Sequence, residues 1–242
     1  MSNFWENLQK PLILPVLLKN KRWDKRRLSK FAKAADAVQI ILPDSGALAV
    51  EQAYARAEWP DFTLAEALEV IKKFRRKNHK PLLLTASVNQ ILNYGLRLFF
   101  TDFAEAGVNA FALRDLPLEE SEEFVYLADQ NQITLFLQAS DTAAEERLTA
   151  LLRTSPQGLL VVTAKKEQEN QEIENLLNTV RRLKQKDGIP LIIDHGLYQE
   201  DNLCRAYQAA DGLLLKSLLD MPDREALRRA RKIRKILKKD SR

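Results

Sequence analysis

Apolar residues gather into eight short runs spread along the whole chain, at 11–18, 37–42, 81–86, 109–113, 133–137, 158–163, 190–193 and 212–215. Each is nearly continuous in Leu, Ile and Val rather than alternating with polar positions. That pattern belongs to parallel strands covered on both faces. Between the runs lie longer stretches whose apolar positions recur every three or four residues: 25–35, 64–77, 91–106, 119–131, 142–153, 167–186, 200–209 and 224–238. These predict amphipathic helices. Strand and helix therefore alternate eight times, which implies a parallel sheet with right-handed crossovers. In 242 residues, eight such units favour closure into a (β/α)8 barrel over an open doubly wound sheet.

The turns support this reading. Short segments at 78–81, 106–108, 185–190 and 210–212 return the chain from helix to strand, several with a glycine just past the helix end. No Pro-, Ser- or Gly-rich linker interrupts the alternation. The expectation is one barrel domain over 1–242, with 222–242 forming a basic C-terminal helix that belongs to it.

Composition changes this picture little. Hydrophobic residues make up 45% and charged residues 29%, the balance of a globular protein with a sizeable core. No apolar run approaches the roughly 20 residues that span a bilayer, so no membrane association is expected. MSNFWENLQK lacks the apolar core of a secretory signal, and a lone cysteine, Cys204, fits a reducing compartment. A cytoplasmic location is expected.

Charge is unevenly placed. The net charge is +5, yet 222–242 alone holds ten Lys/Arg and three Asp/Glu, leaving the remainder close to neutral. Such a tail could touch a nucleic acid or a membrane. Leu227, Ala230, Ile233 and Leu237 recur at helical spacing, however, so the cations read as the solvated face of a terminal helix. No aromatic residues interleave to stack bases, and a nucleic-acid contact is not expected.

Barrel chemistry lies at the C-terminal ends of the strands. Those positions carry the polar segment from Gln39 to Ser45, Ser87 and Asn89, Arg114 and Asp115, and Gln138 to Asp141. They continue with Thr163 to Lys166, Asp194 and His195, and Lys216 with Ser217.

One stretch is distinctive: NYGLRLFFTDFAEAGVNAFALRDLPLEES, from Asn93 to Ser121. It resembles the α subunit of tryptophan synthase, whose fourth strand is followed by a DLP[LV]EES signature and preceded by a helix ending in AGV. PLILPVLLKN is similar to that family's first strand, LLLTASVNQILNYG to its third strand and following helix, and ADGLLLKSLL to its last strand and phosphate-binding turn. The resemblance spans roughly residues 11 to 220.

It implies retro-aldol cleavage of indole-3-glycerol phosphate to indole and glyceraldehyde 3-phosphate, on a barrel needing no cofactor or metal of its own. The partner implied is a pyridoxal-phosphate β subunit that receives the indole. Such cleavage needs a group to protonate the departing carbon and a base for the alcohol. The family supplies a glutamate at strand two and an aspartate in the loop beyond it.

The chain departs from this pattern at both places. The glutamate position is Gln39, whose amide exchanges no proton near neutral pH. The aspartate position is Val50. On the phosphate side, the glycine loop after strand six reads TAKKEQENQE, and the turn after strand seven reads DHGL. That turn keeps Gly196 but places Asp194 where a glycine would cradle phosphate. The final pair is Lys216–Ser217, where Lys216 could hold a small phosphorylated substrate as a point charge. Acids elsewhere are Asp44, Glu51 and Asp115, and Asp194 beside His195 is an alternative acid–base pair. The bland readings are that Asp194 caps a helix, that His195 lies at the surface, and that Asp115 caps backbone N–H groups. Cleavage is therefore expected to be absent or much reduced. The alternatives are a non-catalytic binding or regulatory partner, such as of a β subunit, or a barrel with changed chemistry built on Asp194, His195 and Lys216.

Overall fold

The computed structural model describes residues 4–5, 8–19, 21–43, 62–154, 157–162, 170–184, 188–194 and 199–240. Eight strands pair in chain order and in parallel, the last returning to the first to close a barrel. They are β1 (Leu12–Leu17), β2 (Ala37–Ile41), β3 (Leu82–Ala86), β4 (Ala110–Leu113), β5 (Thr134–Ser140), β6 (Gly158–Val162), β7 (Leu191–Asp194) and β8 (Gly212–Leu214). The helices are α1 (Lys21–Ala34), α2 (Leu64–Arg75), α3 (Val88–Tyr94), α4 (Leu96–Glu105), α5 (Ser121–Gln130), α6 (Glu145–Arg153), α7 (Asn170–Leu183), α8 (Glu200–Ala209) and α9 (Asp223–Asp240). This is the (β/α)8 barrel that the hydrophobic pattern predicts. It departs from the expected elements at 91–106, where the periodicity predicts a single helix. Gly95, at φ +103°, closes α3 and opens α4, and its N–H bonds the carbonyls of Ile91 and Leu92.

Successive strand residues face opposite sides. The outward set, including Leu14, Val38, Leu84, Phe111 and Leu135, packs under the helices. The inward set builds layers from alternate strands. In the lowest layers a large side chain on each odd strand meets a small residue on its even neighbour: Ile13 beside Ala37, Leu83 beside Ala110, Phe136 beside Gly158, Ile192 beside Gly212. The fit is tight, since a Cβ on Gly158 would lie 2.7 Å from the Phe136 ring. Phe4, fully buried, seals this end together with Trp5, both rings meeting Phe136 edge-on.

The residue before each even strand repeats a second device. Asp36, Asn109, Gln157 and Asp211 each use a side-chain oxygen to accept the N–H of Leu12, Leu82, Leu135 or Leu191 on the preceding odd strand, at 3.1, 2.9, 2.7 and 2.9 Å. Strand ends leave N–H groups that burial would otherwise strand without partners. The recurring signal in sequence is Asp, Asn or Gln followed by Ala or Gly.

The C-terminal helix α9 closes the ring against α8 and α1. Leu227, Ala230, Ile233 and Leu237 are buried, as their spacing predicts. Arg27 of α1 clamps Asp223 with two parallel bonds of 2.9 and 3.0 Å, and Arg234 pairs with Asp36.

Candidate functional site at the barrel mouth

Strand register sets which side chains meet at the C-terminal mouth. The floor is an even-strand layer of Gln39, Ala112, Leu160 and Leu214, of which only Gln39 is polar. Above it stands an odd-strand layer of Pro15, Thr85, Gln138 and Asp194, paired in register with those four. Beyond these, β2, β4, β6 and β8 lead to Ile41, Arg114, Val162 and Lys216. The core thus turns from apolar to polar in passing from one layer to the next.

Gln39 is 4% exposed, and its Nε2 donates to the Thr85 hydroxyl at 2.8 Å. A buried amide must find such a partner, and β-branched Thr85 holds its oxygen in a fixed direction. The pair therefore presents a neutral, positioned hydrogen-bonding group at the floor. Asp194, 6% exposed, is the one carboxylate of the floor and wall layers. Lys216 opens the short 3-10 turn Lys216–Asp220 after β8, half-buried, with Ser217 buried behind it. Leu219 of that turn packs on Leu17 and Ile41, giving the mouth an apolar side.

Arg114 gives the opposite side a second cation. It is half-buried, and Nη2 reaches the Leu42 carbonyl at 3.4 Å. Its Nε is buried, with no hydrogen-bond partner among the described residues. The sequence placed Arg114 only among rim residues. Counting inward positions from Ala110 and Ala112 would have shown it to be next in line.

Asp115 does different work. Its Oδ1 accepts the N–H of Val88, the first residue of α3, at 2.7 Å. There it meets the positive end of the helix dipole. Ser87 and Gln90 complete a capping box on the same turn, and Gln90 Nε2 bonds the Pro43 carbonyl at 2.8 Å. The rest of DLPLEES is similarly tied. Ser121 Oγ donates to the Leu118 carbonyl at 2.6 Å, and Glu119 pairs with Arg147 at 3.3 Å. The stretch thus locks the β3 and β4 ends together.

Val50, His195 and Gly196 lie outside the described residues, as do Asp44 and Glu51. No group of three or more His, Cys, Asp or Glu among the described residues could hold a metal ion. Among the same residues no helix is long and apolar enough to cross a membrane.

Known proteins share this architecture and sequence. A profile described as tryptophan synthase alpha chain matches residues 26–238. The chain belongs to the tryptophan synthase α-chain family. Relatives named as such include one from Geotalea daltonii, 26% identical over 191 residues, covering 76% of this chain and 72% of its own length. Another, from a Synechococcus species, is 29% identical over 202 residues, with 79% and 74% covered. The α subunit structure from the hyperthermophile Pyrococcus furiosus superposes with a TM-score of 0.82 at 22% identity, over 96% of this chain and all of that one. A chain from a tryptophan synthase α2β2 complex of the same organism matches equally well. The Legionella pneumophila α subunit gives 0.79 at 18%. At these identities the structural likeness speaks for the fold alone.

Proposed function

We propose that this protein keeps the tryptophan synthase α barrel but has lost, or nearly lost, the cleavage of indole-3-glycerol phosphate, and that it serves as a binding or regulatory partner. The observation that carries this reading is Gln39. It occupies the floor position where the family resemblance places the acid–base glutamate, and its amide is already committed to Thr85 at 2.8 Å. An amide binds by hydrogen bonds but cannot take the alcohol proton or return one to the indole carbon. Arg114 and Asp194 add charges to a mouth whose substrate carries an apolar indole. Family membership supports a cytoplasmic role beside tryptophan biosynthesis, with a β-subunit-like protein as the natural partner. No cofactor or metal is needed for it.

The deciding experiment incubates the purified protein with indole-3-glycerol phosphate, alone and with a β subunit, and measures indole. Release at a rate typical of the family would defeat the proposal. Gln39→Glu is the companion variant. Burial raises the pKa of a carboxyl there toward the range useful for a general acid, so partial activity should return if the rest of the pocket is intact. A second reading, changed chemistry at Asp194 with His195 and Lys216, rests on the buried carboxylate of Asp194 in the wall layer. It requires that any activity found be abolished by Asp194→Asn.

A further inference from the structure

The barrel brings together two basic helices that are 189 residues apart in sequence from the end of α1 to the start of α9, and the result is a cationic face. Together α1 and α9 hold 16 of the chain's 38 basic residues and 4 of its 33 acidic ones. That is a surplus of twelve in a chain whose net charge is +5, so everything else carries −7. The helices are neighbours in the ring and contact one another directly.

The charges are ordered as well as numerous. On α9 the exposed cations Arg224, Arg228, Arg231, Lys235 and Lys238 recur at three and four residues, the spacing of one helix face. On α1 exposed Arg26, Lys30 and Lys33 do the same. Each stripe lies opposite its helix's buried side, which is Leu28, Phe31 and Ala32 on α1 and Ala226, Ala230, Ile233 and Leu237 on α9. Two of the four acids on these helices are engaged elsewhere, leaving Glu225 and Asp240 against the cations. Asp24 is buried and accepts the Lys19 N–H at 2.7 Å, while Asp223 is held by Arg27 in the seam. Like charges one turn apart destabilise a helix, so folding alone gives no reason to keep these stripes.

We infer that the α1–α9 face binds the phosphate backbone of duplex nucleic acid without sequence preference. Directly packed helices lie about 8–10 Å apart axis to axis, so the two cationic stripes run side by side on the scale of the DNA grooves, about 6 and 12 Å wide. Five of the nine cations on α9 are arginines, whose planar fork matches phosphate oxygens. The lack of interleaved aromatics argues against stacking single-stranded bases but leaves backbone binding untouched. A membrane surface fits less well, because the exposed large apolar residues, Leu92, Leu98 and Tyr126, sit on α3, α4 and α5.

The test measures binding of the full chain to a fluorescent random-sequence duplex DNA by anisotropy across NaCl concentrations. With about six phosphate contacts, affinity should fall roughly 10³-fold between 50 and 200 mM salt, the log–log slope being about −0.9 per contact. Arg228→Gln/Arg231→Gln/Lys235→Gln should flatten that slope by about 2.7, and Lys30→Gln/Lys33→Gln by about 1.8. All substitutions are neutral and exposed, and circular dichroism checks that each variant folds. Slopes unchanged in both variants would overturn the inference. So would flattening by the α9 set alone, since the site is built from both helices. Tighter binding to phosphatidylserine vesicles or to polyglutamate at equal charge concentration would reassign the face to a membrane or an acidic protein, and would equally defeat it.

Discussion

Arg75 illustrates how one side chain can hold a barrel end together. At the last turn of α2 it places all five of its N–H donors. Nε and Nη2 go to the Gly107 carbonyl at 3.0 and 2.6 Å, Nη1 to the carbonyls of Asn78 and Lys80, and Nη2 also to Asn109 Oδ1 at 2.9 Å. These acceptors lie just beyond the C-termini of α2 and α4, where the helix dipoles favour a cation. Burial lowers its pKa to about 10, which leaves it charged at neutral pH. Arg75→Ala should cost about 3 kcal/mol or more in denaturant unfolding, because several carbonyls lose a charged donor together. Arg75→Lys should recover less than half, since an ammonium has three donors and no fork. Tyr94 makes a pH-dependent contribution. Desolvation and then its 2.5 Å hydrogen bond to Asp102 push the phenol from 10.0 up to about 12. The raised folded pKa means that its stabilisation is complete below pH 10 and is lost as pH rises through 12. Tyr94→Phe should therefore cost about 1–2 kcal/mol near neutrality. That difference should fade through the same alkaline window, read by urea titrations at several pH values.

Among the elements, β6 fits closely against β5. Gly158 begins β6 in ordinary extended conformation, so its need for glycine is not conformational but spatial: the Phe136 ring fills the place of a Cβ. Gly158→Ala should destabilise by about 1–3 kcal/mol through overpacking, and adding Phe136→Leu should return part of it in a double-mutant cycle. Gly107 has the other reason. At φ +87° it ends α4, with its N–H on the Ala104 carbonyl and that of Val108 on Phe103, the paired bonds of a Schellman turn. The sequence marked Gly107 as a helix stop, because glycine past a helix end is a local signal. It could not mark Gly158, because the ring that excludes a side chain arrives from another strand. Gly95 carries no such local signal, for a related reason. The apolar periodicity runs on across it, and only its backbone angle divides α3 from α4.

At the scale of the molecule, charge segregation has a consequence for stability. Cations on α1 and α9 repel across a seam joined by Arg27–Asp223 and Arg234–Asp36. Raising salt from about 0.01 to 0.15 M shortens the screening length from roughly 30 to 8 Å, so repulsion should weaken more than the partly buried seam pairs. The melting temperature should then rise by a few degrees, which for a chain of this size corresponds to about 1 kcal/mol. A melting temperature that falls with salt would show that the ion pairs outweigh the repulsion.

What the sequence determined by itself is whatever depends on local order along the chain. Eight continuous apolar runs alternating with amphipathic stretches dictate parallel strands and covering helices, and the DLPLEES stretch carries the family. Leu227, Ala230, Ile233 and Leu237 already mark which side of α9 is buried. The amide at Gln39 is likewise legible, since residue type alone decides that an amide transfers no proton. The tertiary structure decided what depends on register and closure. Only the pairing of strands puts Gln39 against Thr85, sets Arg114 and Asp194 in successive layers of the mouth, and turns the carboxylate of Asp115 onto the α3 terminus. Closure of the ring is also what lays α1 beside α9. The sequence shows a basic tail, but a cationic face exists only because the first and last helices of a closed barrel are neighbours.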